Sequence, residues 1–499
     1  MHSPESGPTA RCDTDYPTAD GIREMFFRQV FDPDLAQYAY LIGCQRTGEA
    51  IVIDPERDID RYVDIAGEEG LHIIAATETH IHADFLTGTL ELAEQHGVKL
   101  YLSDEGDADW KYNWAKSSNF NVHYLKDNDS FKVGNIRFDA LHTPGHTPEH
   151  MSFVVTDLGG GASDPIGIAS GDFVFVGALG RPDLLETAAG VAGAREPSAR
   201  RLFASTKRFL ELEDHVQVWP GHGAGSACGK ALGAVPQSTV GYERRFNAGL
   251  GFEADEQGFV DSILDGQPEP PTYFARMKDM NRNGFPVLGS LPAPKLYTIE
   301  ELAAQGATGD SVIVDTRKDR DDFMKAHIPG ALFAPAGINF AVVVGSYVDP
   351  STNIYLIADA ADVEASVRTL VRIGYDRIAG FSPVGSLTGS AVASTKTPTI
   401  DFSDMTTEID TDKVTVLDVR GSAEYAESHI PGAIHIAHTR VEPRLSEVPT
   451  DKPVFVHCRS GNRASFVAAL LERNGYNVTL VDGMYTSWPG LSPKIAGLV

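Results

Sequence analysis

The sequence is poor in cysteine, in positive charge and in long apolar runs. The four cysteines are Cys12, Cys44, Cys228 and Cys458. They are too few and too scattered for a disulfide framework, which favours a reducing compartment and individual thiol chemistry. The 42 basic and 69 acidic residues give a formal net charge of −27, which argues against nucleic acid or an anionic membrane as a partner. Because there is also no signal stretch and no apolar run that could span a bilayer, we expect a cytoplasmic protein that acts on small molecules.

Length and composition predict a globular chain of several domains. At 499 residues, of which 42% are hydrophobic and 22% charged, the chain is too long for a single core. Residues 1–21 are rich in Pro, Ser, Thr and Asp, and we expect a mobile tail there. From residue 22 to about 285, strands first pair and then alternate with helices. This order predicts a layered α/β sandwich with two sheets inside and helices outside.

Metal-ligand side chains follow one of these predicted strands. The apolar run Leu71–Thr77 precedes a loop that carries His80, His82 and Asp84, and a helical pattern begins directly afterwards. Imidazole and carboxylate groups are the ligand types for zinc and iron, so the spacing favours a metal site over a solvated polar turn.

Three later strands end in the same way. His146 lies in a Pro- and Gly-rich turn, Asp172 ends the strand that begins near Ile166, and His222 ends the strand that begins at Val216. A single His or Asp at a strand end is more often a cap or a turn residue. Four such loops in this order predict one shared metal site.

These motifs resemble the metallo-β-lactamase superfamily over residues 22–285. In its binuclear members the second metal depends on a histidine directly after the loop aspartate, and this sequence has Phe85 there. The resemblance therefore implies one metal, as in the persulfide dioxygenases, which hold ferrous iron with two histidines and an aspartate. Carried over by motif, the ligands are His80, His146 and Asp172, with one Fe(II) per chain. Two imidazoles and one carboxylate leave positions open for O2 and a substrate sulfur.

The remaining motif residues surround this proposed ligand set. The resemblance assigns His82, Asp84 and His222 to positions that orient the ligands or bound water, although His82 as a direct ligand stays open. Arg181 lies in a segment similar to the one in which a dioxygenase arginine contacts the carboxylate of the thiol carrier; the alternative is a structural salt bridge. Cys228 lies in a Gly-rich loop after His222, where it either carries a persulfide or gates the site, or is a small buried residue.

After residue 285 the sequence changes character. Pro286, Pro292 and Pro294 predict a stiff linker, and two similar segments follow with a period of about 100 residues. The paired stretches are Ser311–Arg317 with Val414–Arg420, Ala326–Ala331 with Ser428–Ala433, and Asn353–Ile357 with Pro453–His457. Both segments resemble rhodanese domains, over residues 296–389 and 401–497, with a Thr- and Ser-rich link at 390–400.

Only the second repeat has a catalytic loop. Cys458 follows a strand and precedes a helix predicted to begin near Ala464, so the positive end of that helix would lower the pKa of the thiol and make it a nucleophile. Arg459 and Arg463 supply cations for a sulfane-sulfur anion. The first repeat has Ala358 in place of the cysteine and Val363 in place of the second arginine, which predicts an inactive domain that packs or guides a sulfur carrier.

The order of these domains resembles known fusions that oxidise low-molecular-weight persulfides in sulfur metabolism and sulfide detoxification. The resemblance implies iron-dependent dioxygenation of a thiol persulfide to sulfite, coupled to rhodanese transfer that forms or uses thiosulfate. Two alternatives stay open: a zinc-dependent thioester hydrolase of the glyoxalase II type, against which Phe85 argues, and a non-oxidising sulfur-relay protein. The carrier thiol, the direction of the rhodanese step and the oligomeric state, with a homo-oligomer as one option, are also open.

Overall fold

The computed structural model describes residues 25–187, 190–229, 232–392, 394–405 and 412–491. The predicted mobile tail at 1–21, with Cys12, lies outside the described residues. None of the described helices is both long and apolar enough to cross a membrane.

The N-terminal part contains two six-stranded sheets. Its strands are β1 (Met25–Asp32), β2 (Gln37–Cys44), β3 (Glu49–Ile53), β4 (His72–Thr77), β5 (Lys99–Ser103), β6 (Val122–Leu125), β7 (Ser130–Val133), β8 (Ile136–His142), β9 (Met151–Asp157), β10 (Gly167–Gly171), β11 (Val174–Phe175), β12 (Ala178–Leu179), β13 (Gln217–Pro220) and β14 (Ser238–Thr239). The sheet orders are β1-β2-β3-β4-β5-β6 and β14-β13-β10-β9-β8-β7, and β11 and β12 form a separate hairpin. The first sheet is antiparallel from β1 to β3 and parallel from β3 to β6.

Helices cover the outer faces of both sheets. They are α1 (Asp60–Glu68), α2 (Thr89–His96), α3 (Asn113–Lys116), α4 (Leu184–Thr187), α5 (Arg195–Phe209), α6 (Val240–Phe246), α7 (Glu256–Leu264) and α8 (Phe274–Asn283). One apolar cluster lies between the sheets and takes Tyr40 and Ile51 from the first and Phe138 and Phe153 from the second. A second cluster lies under α5 and α7. This arrangement confirms the predicted sandwich, because apolar side chains alternate to the inside of each strand and leave the outer faces for helices.

Two smaller sheets follow, and they have the same topology. The elements of the first are β15 (Lys295–Leu296), α9 (Ile299–Gly306), β16 (Ser311–Asp315), α10 (Arg320–Lys325), β17 (Leu332–Phe333), α11 (Phe340–Tyr347), β18 (Asn353–Ile357), α12 (Val363–Arg372) and β19 (Ile378–Ser382). Those of the second are β20 (Thr399–Asp401), β21 (Thr415–Asp418), α13 (Ser422–Glu427), β22 (Ile434–His435), β23 (Val454–His457), α14 (Asn462–Arg473) and β24 (Val478–Asp482). Both sheets are parallel, in the orders β15-β19-β18-β16-β17 and β20-β24-β23-β21-β22.

The internal repeat is therefore visible as two copies of one five-stranded sheet. We call them the first repeat and the second repeat. Their first strands begin at Lys295 and Thr399, slightly before the predicted domain starts at 296 and 401, so the exact domain limits remain predictions.

The first repeat is joined to the N-terminal domain by buried ions. Arg372, at the end of α12, pairs with Asp58 at 2.6 Å and with Asp32 at 2.9 Å, and its Nε lies 3.6 Å from Glu56. We call these four residues the Arg372 cluster. In the opposite direction, Arg57 of the N-terminal domain pairs with Asp376 of the first repeat at 2.6 Å. Such ion pairs are costly to break, because each leaves a buried charge without its partner.

The predicted linker is held against the N-terminal domain. The carbonyl of Pro286 accepts a hydrogen bond from Arg57, and the amide of Leu288 donates to Glu91 of α2 at 2.6 Å. These contacts fix the segment that leads into the first repeat.

Candidate metal centre and sulfur-transfer loop

The loop after β4 is shaped by Asp54, which the sequence analysis did not single out. The Asp54 carboxylate accepts hydrogen bonds from the amide and the hydroxyl of Thr79 at 2.6 and 2.9 Å. Because the Thr79 hydroxyl hydrogen is used in this way, the contact of 3.0 Å between His80 Nδ1 and Thr79 Oγ1 requires Nδ1 to donate. The Nε2 lone pair of His80 is then free to bind a cation.

His146 is oriented by the same principle. Its Nδ1 lies 2.9 Å from the carbonyl of Arg181, an acceptor only, so Nδ1 carries the hydrogen and Nε2 has the lone pair. That Nε2 lies 3.5 Å from Asp172 Oδ2. His142 ends β8, and His150 directly precedes β9, so these two histidines flank the turn that carries His146. His150 Nε2 accepts a hydrogen bond from the amide of Asp172 at 3.1 Å.

Three predicted ligands meet in one buried place. One donor atom each from His80, His146 and Asp172 lie within 4.8 Å of one another, and all three residues are buried. Neither carboxylate oxygen of Asp172 has a hydrogen-bond partner among the described residues. A buried carboxylate without a hydrogen bond is costly, and here two imidazole lone pairs face it. The donor set therefore fits a metal cation.

A second group of donors lies beside the first. Donor atoms of Asp84, His222 and Cys228 also lie within 4.8 Å of one another. His222 Nε2 is 3.3 Å from Asp84 Oδ2 and 3.4 Å from Asp172 Oδ2, so Asp172 lies between the two groups. His222 Nδ1 is held by the carbonyl of Ala36 at 3.1 Å.

His82 belongs to neither donor group, although its ring centroid lies 4.2 Å from that of His80. Its Nε2 contacts Asp54 Oδ1 at 3.1 Å, and its ring centroid lies 4.3 Å from that of Phe85. This geometry does not favour His82 as a direct ligand, the option that the sequence had left open. Phe85 is fully buried and packs against the His82 ring.

Burial and mutual contact set the charges of these groups. Burial lowers the pKa of His80 well below its ordinary value, and the neighbouring His82 lowers it further, so the imidazole is neutral. Burial opposes ionisation of Asp172, but the contacts with His222 and His146 outweigh burial and lower the pKa of its carboxyl. Burial, with Asp84 nearby, raises the pKa of the Cys228 thiol to about 12. Cys228 is therefore a neutral thiol.

Asn281 is a further residue that the sequence analysis missed. Its amide nitrogen donates to the carbonyls of His82 and Phe85 at 2.8 and 2.7 Å, and its carbonyl oxygen accepts from the amide of Thr87 at 3.0 Å. It fixes the loop from α8, almost 200 residues along the chain. A lone asparagine in a helix carries no sequence signal for such a role.

Arg181 occupies a buried salt bridge. Its guanidinium donates to both carboxylate oxygens of Asp183, at 2.8 and 2.5 Å, and to the carbonyl of Ala227 at 3.2 Å. Arg181 has no exposed surface. This geometry favours the salt-bridge alternative over contact with the carboxylate of a thiol carrier, since each guanidinium nitrogen already has a partner.

A different cation lies near the candidate ligands. A cavity of about 20 Å³ is lined by His146, Leu184 and Phe274, and also by Trp110 and Lys278. Lys278 Nζ lies 3.8 Å from the centroid of the Trp110 ring, a cation–π contact. This lysine was not singled out from the sequence.

The loop of the second repeat has the predicted form. Cys458 is buried and directly follows β23, and α14 begins at Asn462, two residues before the predicted start. Arg459 is exposed at the surface of the loop. Arg463 is paired through both nitrogens with Glu424 of α13, at 2.6 and 2.9 Å, and Glu424 raises the arginine's pKa against the effect of burial. The sequence analysis did not identify Glu424.

The corresponding loop of the first repeat differs in side chains and in backbone. Ala358 is buried at the end of β18, in the position of Cys458, and Val363 begins α12. Gly461 has a left-handed φ of +86°, whereas its counterpart Ala361 is not among the described residues that have a positive φ. The first repeat therefore lacks both the thiol and the turn that precedes the active helix.

A four-layered sandwich with buried imidazole and carboxylate donors at strand ends defines the class of αβ/βα metalloproteins. The metallo-beta-lactamase superfamily model matches residues 32–222, and the model of the rhodanese-like domain matches residues 401–490. A crystal structure described as a metallo-beta-lactamase from Staphylococcus aureus is 43% identical, covers 72% of this chain and 99% of that chain, and superposes with a TM-score of 0.66. The chain belongs to the metallo-β-lactamase superfamily and carries a C-terminal rhodanese-like domain.

Two curated relatives cover the N-terminal domain at lower identity. The mitochondrial persulfide dioxygenase ETHE1 of Bos taurus is 26% identical over 237 residues, which span 46% of this chain and 78% of that protein. The probable polyketide biosynthesis zinc-dependent hydrolase BaeB of Bacillus velezensis is 24% identical over 209 residues, which span 42% of this chain and 82% of that protein.

Proposed function

We propose that this protein is an iron-dependent persulfide dioxygenase with a sulfurtransferase domain. The observation that carries the proposal is the buried group of His80, His146 and Asp172, in which two imidazoles with free Nε2 lone pairs lie beside a carboxylate that has no hydrogen-bond partner among the described residues. The similarity to persulfide dioxygenases supports the choice of reaction. The free thiols of Cys44, Cys228 and Cys458 support a reducing compartment, and we propose the cytoplasm.

In this proposal His80, His146 and Asp172 would hold one Fe(II), which supplies the redox chemistry for a reaction with O2. A thiol persulfide, O2 and water give a thiol, sulfite and protons. Other groups of the chain orient the two histidine ligands. Thr79 fixes the ring of His80, and the carbonyl of Arg181 fixes the ring of His146.

The carrier of the persulfide would enter beside His146. With Arg181 already paired, Lys278 is the cation that lines this side of the site, and its aliphatic stem and the Trp110 ring offer apolar contact. We propose that Lys278 binds a negatively charged group of the carrier. In this proposal Cys228, a neutral thiol with donor atoms of Asp84 and His222 within 4.8 Å, would contact the substrate sulfur.

The second repeat would handle the sulfane sulfur. A persulfide on Cys458 transfers its outer sulfur to sulfite, which gives thiosulfate and leaves the Cys458 thiolate; the reverse transfer uses thiosulfate. The exposed Arg459 is available to attract either anion, whereas Arg463 shares its charge with Glu424. Small anions, O2 and a persulfide are therefore the proposed partners.

Metal analysis and an oxygen electrode test this proposal directly. We expect about one iron per chain and O2 uptake that depends on added thiol persulfide. Asp172→Ala removes the only carboxylate of the proposed ligand set, so iron content and O2 uptake should fall together to background. Asp315→Ala is the matched control, because it removes a buried carboxylate of the first repeat that is paired with Arg317 and is not part of the ligand group. Full O2 uptake by Asp172→Ala would refute the ligand assignment.

A zinc-dependent hydrolase of the glyoxalase II type is the second candidate. The donor group of Asp84, His222 and Cys228 favours it, because a second metal could take these three ligands where Phe85 removes the usual histidine. In that case purified protein would contain about two zinc ions per chain and would cleave thioesters without O2. A sulfur-relay protein would show neither O2 uptake nor thioester cleavage.

A further inference from the structure

The first repeat reaches into the catalytic loop of the second through Arg320. This arginine is the first residue of α10, and its Nη1 donates to the carbonyl of Ser460 at 2.9 Å and to Asn462 Oδ1 at 3.2 Å. Its Nη2 pairs with Asp482, at the end of β24, at 2.9 Å. One guanidinium thus joins the loop, the start of the helix and the end of a strand.

Gly461 of the catalytic loop leaves room for the Arg320 side chain. A Cβ on Gly461 would lie 2.3 Å from Arg320 Nη1, which is closer than real contacts allow. Gly461 also has a left-handed φ of +86°. The left-handed turn therefore favours glycine here, and Arg320 occupies the space that the missing side chain leaves.

The contact with Ser460 fixes the direction of a peptide group. In a trans peptide the carbonyl and the following N–H point to opposite sides. Because the Ser460 carbonyl is held on the side of Arg320, the N–H of Gly461 points to the other side of the loop. Amide groups in front of a helix stabilise an anion when they point towards it. A thiolate or persulfide on Cys458 is such an anion.

The rest of α14 also lies against the first repeat. Near its C-terminal end, Arg473 donates to the carbonyls of Gly330 and Ser311 at 2.7 and 3.0 Å, and Glu472 contacts His327 at 3.1 Å. The helix that carries the catalytic loop is thus held by the first repeat at both ends, and only the Arg320 end touches the loop.

We infer that Arg320 is a positioning residue for the sulfur-transfer site and that the inactive repeat supplies it. By anchoring the Ser460–Gly461 peptide and Asn462, it keeps the loop in the shape that stabilises an anion on Cys458. The inference rests on the proposed role of Cys458 as the nucleophile. It assigns the first repeat a task in catalysis although it has no thiol of its own.

Alkylation of Cys458 by iodoacetamide tests the inference without requiring turnover. The rate is followed in the full chain from about pH 5 to about pH 10 by mass spectrometry of the Cys458 peptide. We expect Arg320→Met to slow alkylation about tenfold at neutral pH and to move the alkylation profile to higher pH, since the Ser460 carbonyl and Asn462 lose the donor that holds the loop in shape. Thiosulfate:cyanide transfer should lose kcat by a similar factor, with KM changed less.

Arg473→Met is the matched control, because it removes another arginine between the repeats from the far end of the same helix. It should leave the alkylation profile native. Arg320→Lys keeps the charge but cannot bridge Ser460 and Asp482 in the same way. We therefore expect this variant to slow the alkylation of Cys458 about threefold at neutral pH. This variant also decides the matter if Arg320→Met does not fold.

A native alkylation profile in Arg320→Met, or in Arg320→Lys if only that variant folds, would overturn the inference. An equal shift in Arg473→Met would also overturn it, because the effect would then belong to the interface as a whole. If the native chain transfers no sulfur to cyanide, the proposed function of Cys458 fails, while the alkylation profiles still decide the role of Arg320.

Discussion

Removal of the Arg372 side chain should loosen the first repeat from the N-terminal domain. Arg372→Met keeps the length and apolar stem of the side chain. Among the described residues, it removes the only guanidinium that pairs with Asp32 and one of the two that pair with Asp58. Burial already raises the pKa of Glu56 well above its ordinary value, and the loss of Arg372 would raise it further. The carboxylates of Asp32 and Asp58 would then be buried with less compensation.

The size of the effect follows from these contacts. Removing one partner of a buried ion pair costs about 3–5 kcal/mol. Arg368 and Arg61 remain near Asp58 and Glu56, at 3.0 and 2.9 Å, so the lower end of that range applies. At about 3 kcal/mol, the population of the undocked form should rise roughly 150-fold.

Hydrogen exchange at one amide measures this population. The amide of Leu86 donates to the carbonyl of Arg372 at 2.7 Å across the interface, and the substitution leaves that carbonyl in place. Exchange at Leu86 should therefore accelerate by the factor of roughly 150, because the interface opens more often. Arg377→Met is the control, since that exposed arginine bonds only within the first repeat, to Ser351, among the described residues.

A second substitution separates charge from packing. Asp58→Asn in the Arg372→Met background should recover part of the protection, because one unpaired carboxylate is then removed. An unchanged Leu86 exchange rate in Arg372→Met would refute the electrostatic account of the interface, and equal exchange in the single and double variants would attribute the loss to packing.

Three further predictions concern the two active sites. Cys458→Ser should abolish thiosulfate:cyanide transfer but leave O2 uptake with added persulfide near native; a joint loss would show that the sites are obligately coupled. Ala358→Cys in the Cys458→Ser background should stay inactive in the same transfer assay, because Asp359 and the missing left-handed turn oppose an anionic sulfur; near-native transfer would contradict this. Phe85→His should raise the metal content above one ion per chain by restoring an imidazole, and an unchanged metal content would show that Phe85 does not limit it.

The strands and the metal-ligand loops could be predicted because they depend on local patterns. Apolar runs ended at His80, Asp172 and His222, which follow β4 of the first sheet and β10 and β13 of the second. The His146 turn was marked by its own Pro and Gly. The sandwich fold brings these four loops together, and the order of strands and helices in the sequence already predicted that fold.

Other parts depend on contacts that no local pattern records. Arg372 and Asp58 are separated by 314 positions, and Asn281 and His82 by 199. Neither pair follows from periodicity or from a motif. Arg181 could not be assigned from the sequence for a different reason. Its partner Asp183 is only two positions away, but the sequence is the same whether the arginine binds a ligand or forms a salt bridge with this aspartate.

The Arg372 cluster has a consequence for how the chain can be divided. A fragment that stopped at the end of the metal-binding sandwich would expose Asp32, Glu56 and Asp58 to water without their common arginine, and it would lose the carbonyl that holds Leu86 just after the ligand loop. The smallest portable unit for the metal chemistry therefore includes the first repeat through β19. A cut between the two repeats would keep this unit whole, but it would take Arg320 away from the catalytic loop of the second repeat.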